Sequence, residues 1–247
     1  MYASILSQLK EARKAVEQSW RYYVTYVKVL GTLIDSCYVA NEEFVAQASD
    51  GALSARRNLQ QMKGWQTMMN NERREAINQL FLIVNNRATA LPVVEHTCMQ
   101  IASVTCHNPQ DKFRELCILK VEQLLQSPDT KNLKVQITLL SHIFKDESVL
   151  LPSSFVQACI EFVVQVLENI SNPPAVQLKC LQITVPHVLR YIVLNQMMFD
   201  RFCMGASFLR QKATHAMLVK TQVSVYSDIS DTIGSIFDRI KSADFVK

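Results

Sequence analysis

Residues 20–30 read WRYYVTYVKVL, and the fold turns on how they are read. Aromatic and β-branched side chains dominate, so local preference alone predicts a strand. The flanks predict a helix. ILSQLKEARKAVEQ precedes the stretch, rich in good helix formers, and no Gly or Pro occurs before Gly31. Leu9, Val16, Tyr23, Leu30 and Cys37 share one heptad position, with Ala12, Ser19, Tyr26 and Leu33 at the other. This 3–4 spacing predicts one long helix from about Ser4 to Gln47. Trp20, Val24, Val27 and Ile34 fall beside the seam, so the apolar surface is wider than a single neighbour covers. Neighbouring helices or a partner protein take up the rest, and Trp20, Tyr23 and Tyr26 are candidate partner contacts. Nucleic-acid base stacking fits these aromatics less well, because stacking platforms sit on sheets or in more strongly basic grooves.

After this helix, Ser49-Asp50-Gly51 supplies turn residues. A second helix is predicted through ALSARRNLQQMKGWQTMM, which makes residues 1–70 a long helical hairpin. Asn70-Asn71 is read as the start of the next helix, EAINQLFLIVNN. Composition agrees with a helical chain. Only five of 247 residues are glycine, well below the usual ~7%. Sheets need glycine at their turns; helices do not. The expected class is all-α, with enough apolar residues for one large domain or two small ones.

The start of the chain lacks the apolar core of a signal peptide, and ACIEFVVQVLENI is interrupted by Glu161 and Glu168. No membrane span is expected, and the address is intracellular, cytoplasm or nucleus. Seven cysteines, without a CxxC pair, read as small core residues in a reducing compartment.

From residue 71 the punctuation becomes regular. Pro92, Pro109, Pro128, Pro152 and Pro173 each open an amphipathic segment. Proline suits a first helical turn, where its missing N–H has no partner to lose. Ser127 and Asn108 read as helix caps. A shift of 42 residues superposes Phe113, Cys117, Ile118, Val121, Leu124 and Leu125 on Phe155, Cys159, Ile160, Val163, Val166 and Leu167. A shift of 45 to 46 pairs Leu133-Lys134 with Leu178-Lys179, and Gln136-Ile137-Thr138 with Gln182-Ile183-Thr184. Pro186 is expected to kink or split its helix. This pattern resembles the HEAT/armadillo class of helical repeats over roughly residues 71–200. The resemblance implies stacked antiparallel helix pairs with a long face lined by the second helix of each pair. Residues 201–247 then form basic, degenerate capping helices. SVYSDISDTIGSIFDRIKSADF closes the chain with Val225, Ile229, Ile233, Ile236, Phe237 and Ile240 on one stripe and a break near Ser230 or Asp231.

Little points to chemistry. His96, Cys98, Cys106 and His107 fail as zinc ligands on a continuous helix: His96 and Cys98 point about 200° apart, and Cys98 and Cys106 lie about 12 Å apart along the axis. Neither phosphate-cradling glycine loops nor GxSxG or HExxH motifs occur. No catalytic residue, metal or cofactor is assigned. The expected function is a non-catalytic scaffold or adaptor that binds a peptide or helix of another protein, in a stable hetero-complex or dimer. On the face of the array, Lys134, Thr138, Ser141 and Lys145 form a polar stripe, with Lys179, Gln182 and Arg190 in comparable places one repeat later. The rival is a nucleic-acid-binding helical protein using Arg56, Arg57, Lys63, Arg73 and Arg74 with a basic run that includes Arg210, Lys212 and Lys220. Between Arg201 and Tyr226 there are four basic residues and no acid.

Overall fold

The computed structural model describes residues 19, 21–22, 24–35, 55–86, 88–106, 111–126, 132–145, 150–169 and 171–242; for 55–66 and 69 it describes the backbone alone. Every regular element among them is helical, and no strand occurs. No helix among these residues is long and apolar enough to cross a membrane. The chain packs as two compact units, Met1–Val104 and Thr105–Lys247.

In the first unit, α1 covers residues 24–35, followed by α2 (Ala55–Asn85) and α3 (Leu91–Thr105). WRYYVTYVKVL is therefore helical wherever it is described. Its buried side follows the expected seam only in part. Val24, Val27, Leu30 and Ile34 are buried, so Leu30 of the seam is kept, while Tyr26 is 44% exposed and Leu33 only half-buried. At Gly31 the end of the Gln100 side chain of α3 occupies the place a Cβ would take. Trp20, Tyr23, the rest of the predicted first helix and the Ser49-Asp50-Gly51 turn lie outside the described residues. The predicted helix start at Asn70-Asn71 does not exist: α2 runs through it without interruption. Two asparagines cost a helix interior only tenths of a kcal/mol each, too little to end it.

The second unit holds α4 (Lys112–Leu125), α5 (Leu133–Ile143), α6 (Ser153–Glu168), α7 (Pro174–Lys179), α8 (Val185–Leu194), α9 (Gln196–Leu218) and α10 (Val223–Lys241). Asp111 caps α4 by accepting from Phe113 N, and Asn195 caps α9 by accepting from Met198 N. Pro92, Pro152 and Pro173 open their helices as the spacing predicts; Pro109, Pro128 and the caps assigned to Asn108 and Ser127 fall outside the described residues. All six residue pairs matched by the 42-residue shift are buried on both α4 and α6. α4 packs on α6 and α6 on α9, while α5 packs on the α7 region and α7 on α10.

A shared internal bond joins first to second helix. Gln136 Nε2 donates to Leu124 O at 2.6 Å, at the end of α4. Gln177 Nε2 reaches the end of α6, donating to Asn169 O at 3.0 Å and to Val166 O and Leu167 O at 3.3 Å. Both glutamines are fully buried and satisfy carbonyls that a helix end leaves open. The sequence pairing of Gln136 with Gln182 is thereby corrected: Gln182 is exposed, and Gln177 does the equivalent work.

Pro186 is accommodated by a π-helical turn over Cys180–Thr184, in which Val185 N–H reaches back to Cys180 O. The extra residue displaces the carbonyl the proline ring would strike and leaves Pro186 in the first turn of α8. At the far end, α10 is continuous through Ser230 and Asp231, so the expected break is absent. α9 lies against α6 at Gly205, where an added Cβ would sit 3.3 Å from Glu168 Cγ. One turn earlier Arg201 forks onto Glu168 at 2.8 and 3.2 Å, with Glu161 at 3.6 Å.

The α9–α10 connection carries the first prediction. Thr221 N bonds Ala216 O and Lys220 N bonds Met217 O, the two bonds of a Schellman stop. Its left-handed position, normally glycine, is Lys220 with φ 56. Lys220→Gly should raise unfolding free energy by about 1 kcal/mol, read as a higher urea midpoint at unchanged slope.

Candidate partner-binding face

α5 presents Lys134 exposed and Ser141 half-buried, with Thr138 buried between them, and Lys145 is exposed just past its end. The hydroxyls turn back onto their own helix: Thr138 Oγ1 donates to Lys134 O at 2.8 Å and Ser141 Oγ to Thr138 O at 2.7 Å. Lys179 of α7 then donates from Nζ to Thr138 Oγ1 at 2.9 Å. Thr184 Oγ1 donates to Ile137 O at 3.2 Å. Further along, Phe144 meets Tyr191 of α8 edge-on, ring centroids 5.9 Å apart. Arg190 lies over the Tyr191 ring at 4.6 Å and donates to its hydroxyl at 2.6 Å. With Thr138 at Lys179 near one end and Phe144 at Tyr191 near the other, α5 and α7–α8 run side by side in the same direction.

The predicted residues Lys134, Ser141, Lys145, Lys179 and Arg190 are thus carried on two adjacent helical elements, with exposed Gln182 on the π turn between α7 and α8. Residues 132–145 and 171–199 contain no Asp or Glu, although Asp146 and Glu147 follow Lys145 directly in the sequence. Lys134 lies about 14 Å along the axis from the last residue of α5, just before Lys145, which an extended chain covers in about four to five residues. That separation exceeds the ~8–10 Å screening length of ordinary salt, so each cation acts as its own point of attachment. The Arg190–Tyr191 stack fixes one guanidinium before anything binds. Tyr191 and Phe144 were missed in the sequence; an aromatic beside a stripe arginine was the available signal.

The other predicted contacts are dispersed. On α1, Tyr26 is exposed and shares an outward side with Tyr22 at 76% and Val29 at 57% exposure. On α2, Arg74 is exposed but Arg73 is only 4% exposed and does not contribute to a phosphate-facing surface. The side chains of Arg56, Arg57 and Lys63 lie outside the described residues. On α9 and after it, Arg210 and Lys220 are exposed and Lys212 is half-buried. Arg201, counted in the basic run, is engaged by Glu168, whose hydrogen bond raises the guanidinium pKa further.

Four of the six described cysteines are core, while Cys106 and Cys203 are half-buried and Cys37 lies outside the described residues. Cys98, Cys117, Cys159 and Cys180 are buried free thiols. Burial pushes the Cys180 thiol up to about 12 and raises Cys159 well above the usual thiol range, Glu122 adding to the latter. Both stay protonated at neutral pH, and nucleophilic chemistry needs the thiolate. Among the described residues no group of three or more His, Cys, Asp or Glu side chains is placed to hold a metal ion. Comparison with protein-family models, curated proteins and solved structures finds no match to this chain.

Proposed function

We propose that the chain is a non-catalytic scaffold or adaptor whose second unit is a HEAT/armadillo-like stack of three helix pairs, α4 with α5, α6 with α7–α8, and α9 with α10. Its second helices hold an acidic segment of a partner protein. The observation that carries this reading is the pair α5 and α7–α8, which contain no Asp or Glu, carry Lys134, Lys179 and Arg190 with Lys145 just past α5, and are bridged by the Lys179–Thr138 bond. Support for the stack comes from first helices lying against first helices and second against second, and from the recurring glutamine bond. A partner chain with carboxylates about five residues apart gains charge-assisted bonds at each cation. The outward side of α1, with Tyr26, is a second contact in the same reading, as the outer arm of the N-terminal helical hairpin.

The test compares proteins captured from cell lysate, with and without nuclease, by the native chain and by Lys134→Glu/Lys179→Glu. A protein partner that survives nuclease and is lost on charge reversal, with the helical circular dichroism unchanged, is the expected result. Capture that nuclease abolishes would hand the face to nucleic acid, whose binding also falls by orders of magnitude between low and moderate salt. Capture untouched by charge reversal would overturn the assignment of this face.

A further inference from the structure

α4, the start of α5 and α6 border a cavity of about 460 Å³. Ligand sites usually hold about 300–1,000 Å³. Leu125, Leu133, Phe162 and Val166 give it an apolar wall, each less than a tenth exposed. Its polar groups include Glu122 on α4, Glu161 on α6 and Asn172 just beyond α6. Asn172 is only 4% exposed. Its Nδ2 is committed to Val166 O at 2.9 Å, and its Oδ1 has no hydrogen-bond partner among the described residues. A buried acceptor without a donor costs free energy, so each one in a folded chain calls for a reason. Two more unpartnered amide oxygens, Gln136 Oε1 and Gln177 Oε1, sit on the side chains that close the ends of α4 and α6. This end of the unit is rich in acceptors and short of donors.

Charge has the matching sign. Glu161 and Glu168 share a single cation, Arg201, at 3.6 and 2.8 Å. Glu122 has no ion pair among the described residues. The Cys159 thiol of α6, raised first by burial, is raised further by Glu122, which places that carboxylate against α6. Lys120 and Lys134, on α4 and α5, do not line the cavity. We infer that this cavity binds a guanidinium: the arginine side chain of a partner protein, its charge answered by Glu122 and its N–H donors by the open acceptors. Arginine suits the site better than lysine. Its head is planar and weakly hydrated and brings five donors, whereas a lysine ammonium is compact and strongly hydrated. Its stem covers apolar wall while the head reaches polar atoms. A phosphate or carboxylate would meet like charge here. The inference shares no cation with the α5–α8 face and does not rest on that reading.

The probe is N-acetyl-arginine methylamide, titrated into the isotope-labelled full chain and followed by nuclear magnetic resonance. The expected result is saturable shifts of the Leu125, Leu133 and Val166 methyls and of the Asn172 side-chain amide, with distant signals still. The citrulline counterpart has nearly the same shape and no charge, and should bind about tenfold more weakly. Glu122→Gln, at a half-buried position, should lower affinity for the arginine probe about tenfold with an unchanged thermal melt. Glu161→Gln should lower it less, because Arg201 already draws on that carboxylate. No shifts at these residues, equal binding of the arginine and citrulline probes, or indifference to Glu122→Gln would overturn the inference. So would spermidine binding more tightly than the arginine probe at the same residues, which would assign the cavity to a free amine.

Discussion

Phe155→Ala should remove about 3–5 kcal/mol from the unfolding free energy of the second unit. Phe155 is fully buried on α6, the helix that packs on both α4 and α9. Its truncation opens a cavity in the middle of the unit, where helices held from two sides have little freedom to collapse into it. The transfer and cavity penalties therefore add. Phe113, its counterpart on α4, is 7% exposed and sits nearer the edge. Phe113→Ala should cost less, about 2–3 kcal/mol, because solvent and side chains can fill part of the gap. Urea unfolding followed by far-ultraviolet circular dichroism measures both. Equal losses, or a loss below about 1 kcal/mol at Phe155, would mean that α6 is not the central helix of its unit.

Gln177→Ala should cost about 2–4 kcal/mol, combining unsatisfied carbonyls with a small cavity. The amide closes the end of α6 through buried bonds to Val166 O and Leu167 O and a part-buried one to Asn169 O. Asn172 Nδ2 still serves Val166 O at 2.9 Å after the change, so the loss falls on the other two carbonyls. Gln177→Met keeps the length of the side chain and removes the donor. It should retain most of the loss, which separates the hydrogen bonds from the packing. Gln136→Ala removes the single bond to Leu124 O and should cost less, about 1–2 kcal/mol. Amide hydrogen exchange offers a local readout: the last turn of α6 should lose protection in Gln177→Ala before the rest of the helix does. Protection unchanged there would show that the glutamine is a filler and not a cap.

Helical spacing made some surfaces legible and left others ambiguous. The α5 stripe was legible because Lys134, Thr138 and Ser141 repeat at helical spacing, and helical spacing alone puts residues on one side. The exposed apolar residues of α9 were hidden in the same kind of pattern. Met204, Phe208 and Leu218 are apolar, and an apolar file on a helix reads as core until something shows which side the neighbours occupy. For α9 the neighbours α6 and α10 take the side that carries Met198, Phe202, Ala206, Leu209 and Ala213. The α1 seam was half right for the same reason: two adjacent apolar files, one through Tyr26 and one through Val27, satisfied the periodicity, and the helix buries Val24, Val27 and Ile34 together with Leu30 of the seam while Tyr26 stays exposed.

The chain's own residues determined that it is helical, where most of its described helices run, and that α4 and α6 bury matching faces. Those properties follow from short-range periodicity, glycine scarcity and proline position, all of them local. Only the tertiary structure decided which apolar file goes inside, which glutamine answers which helix end, and how Pro186 is absorbed. Each of those depends on what a neighbouring helix presents at van der Waals distance, and one-dimensional spacing carries no record of the neighbour.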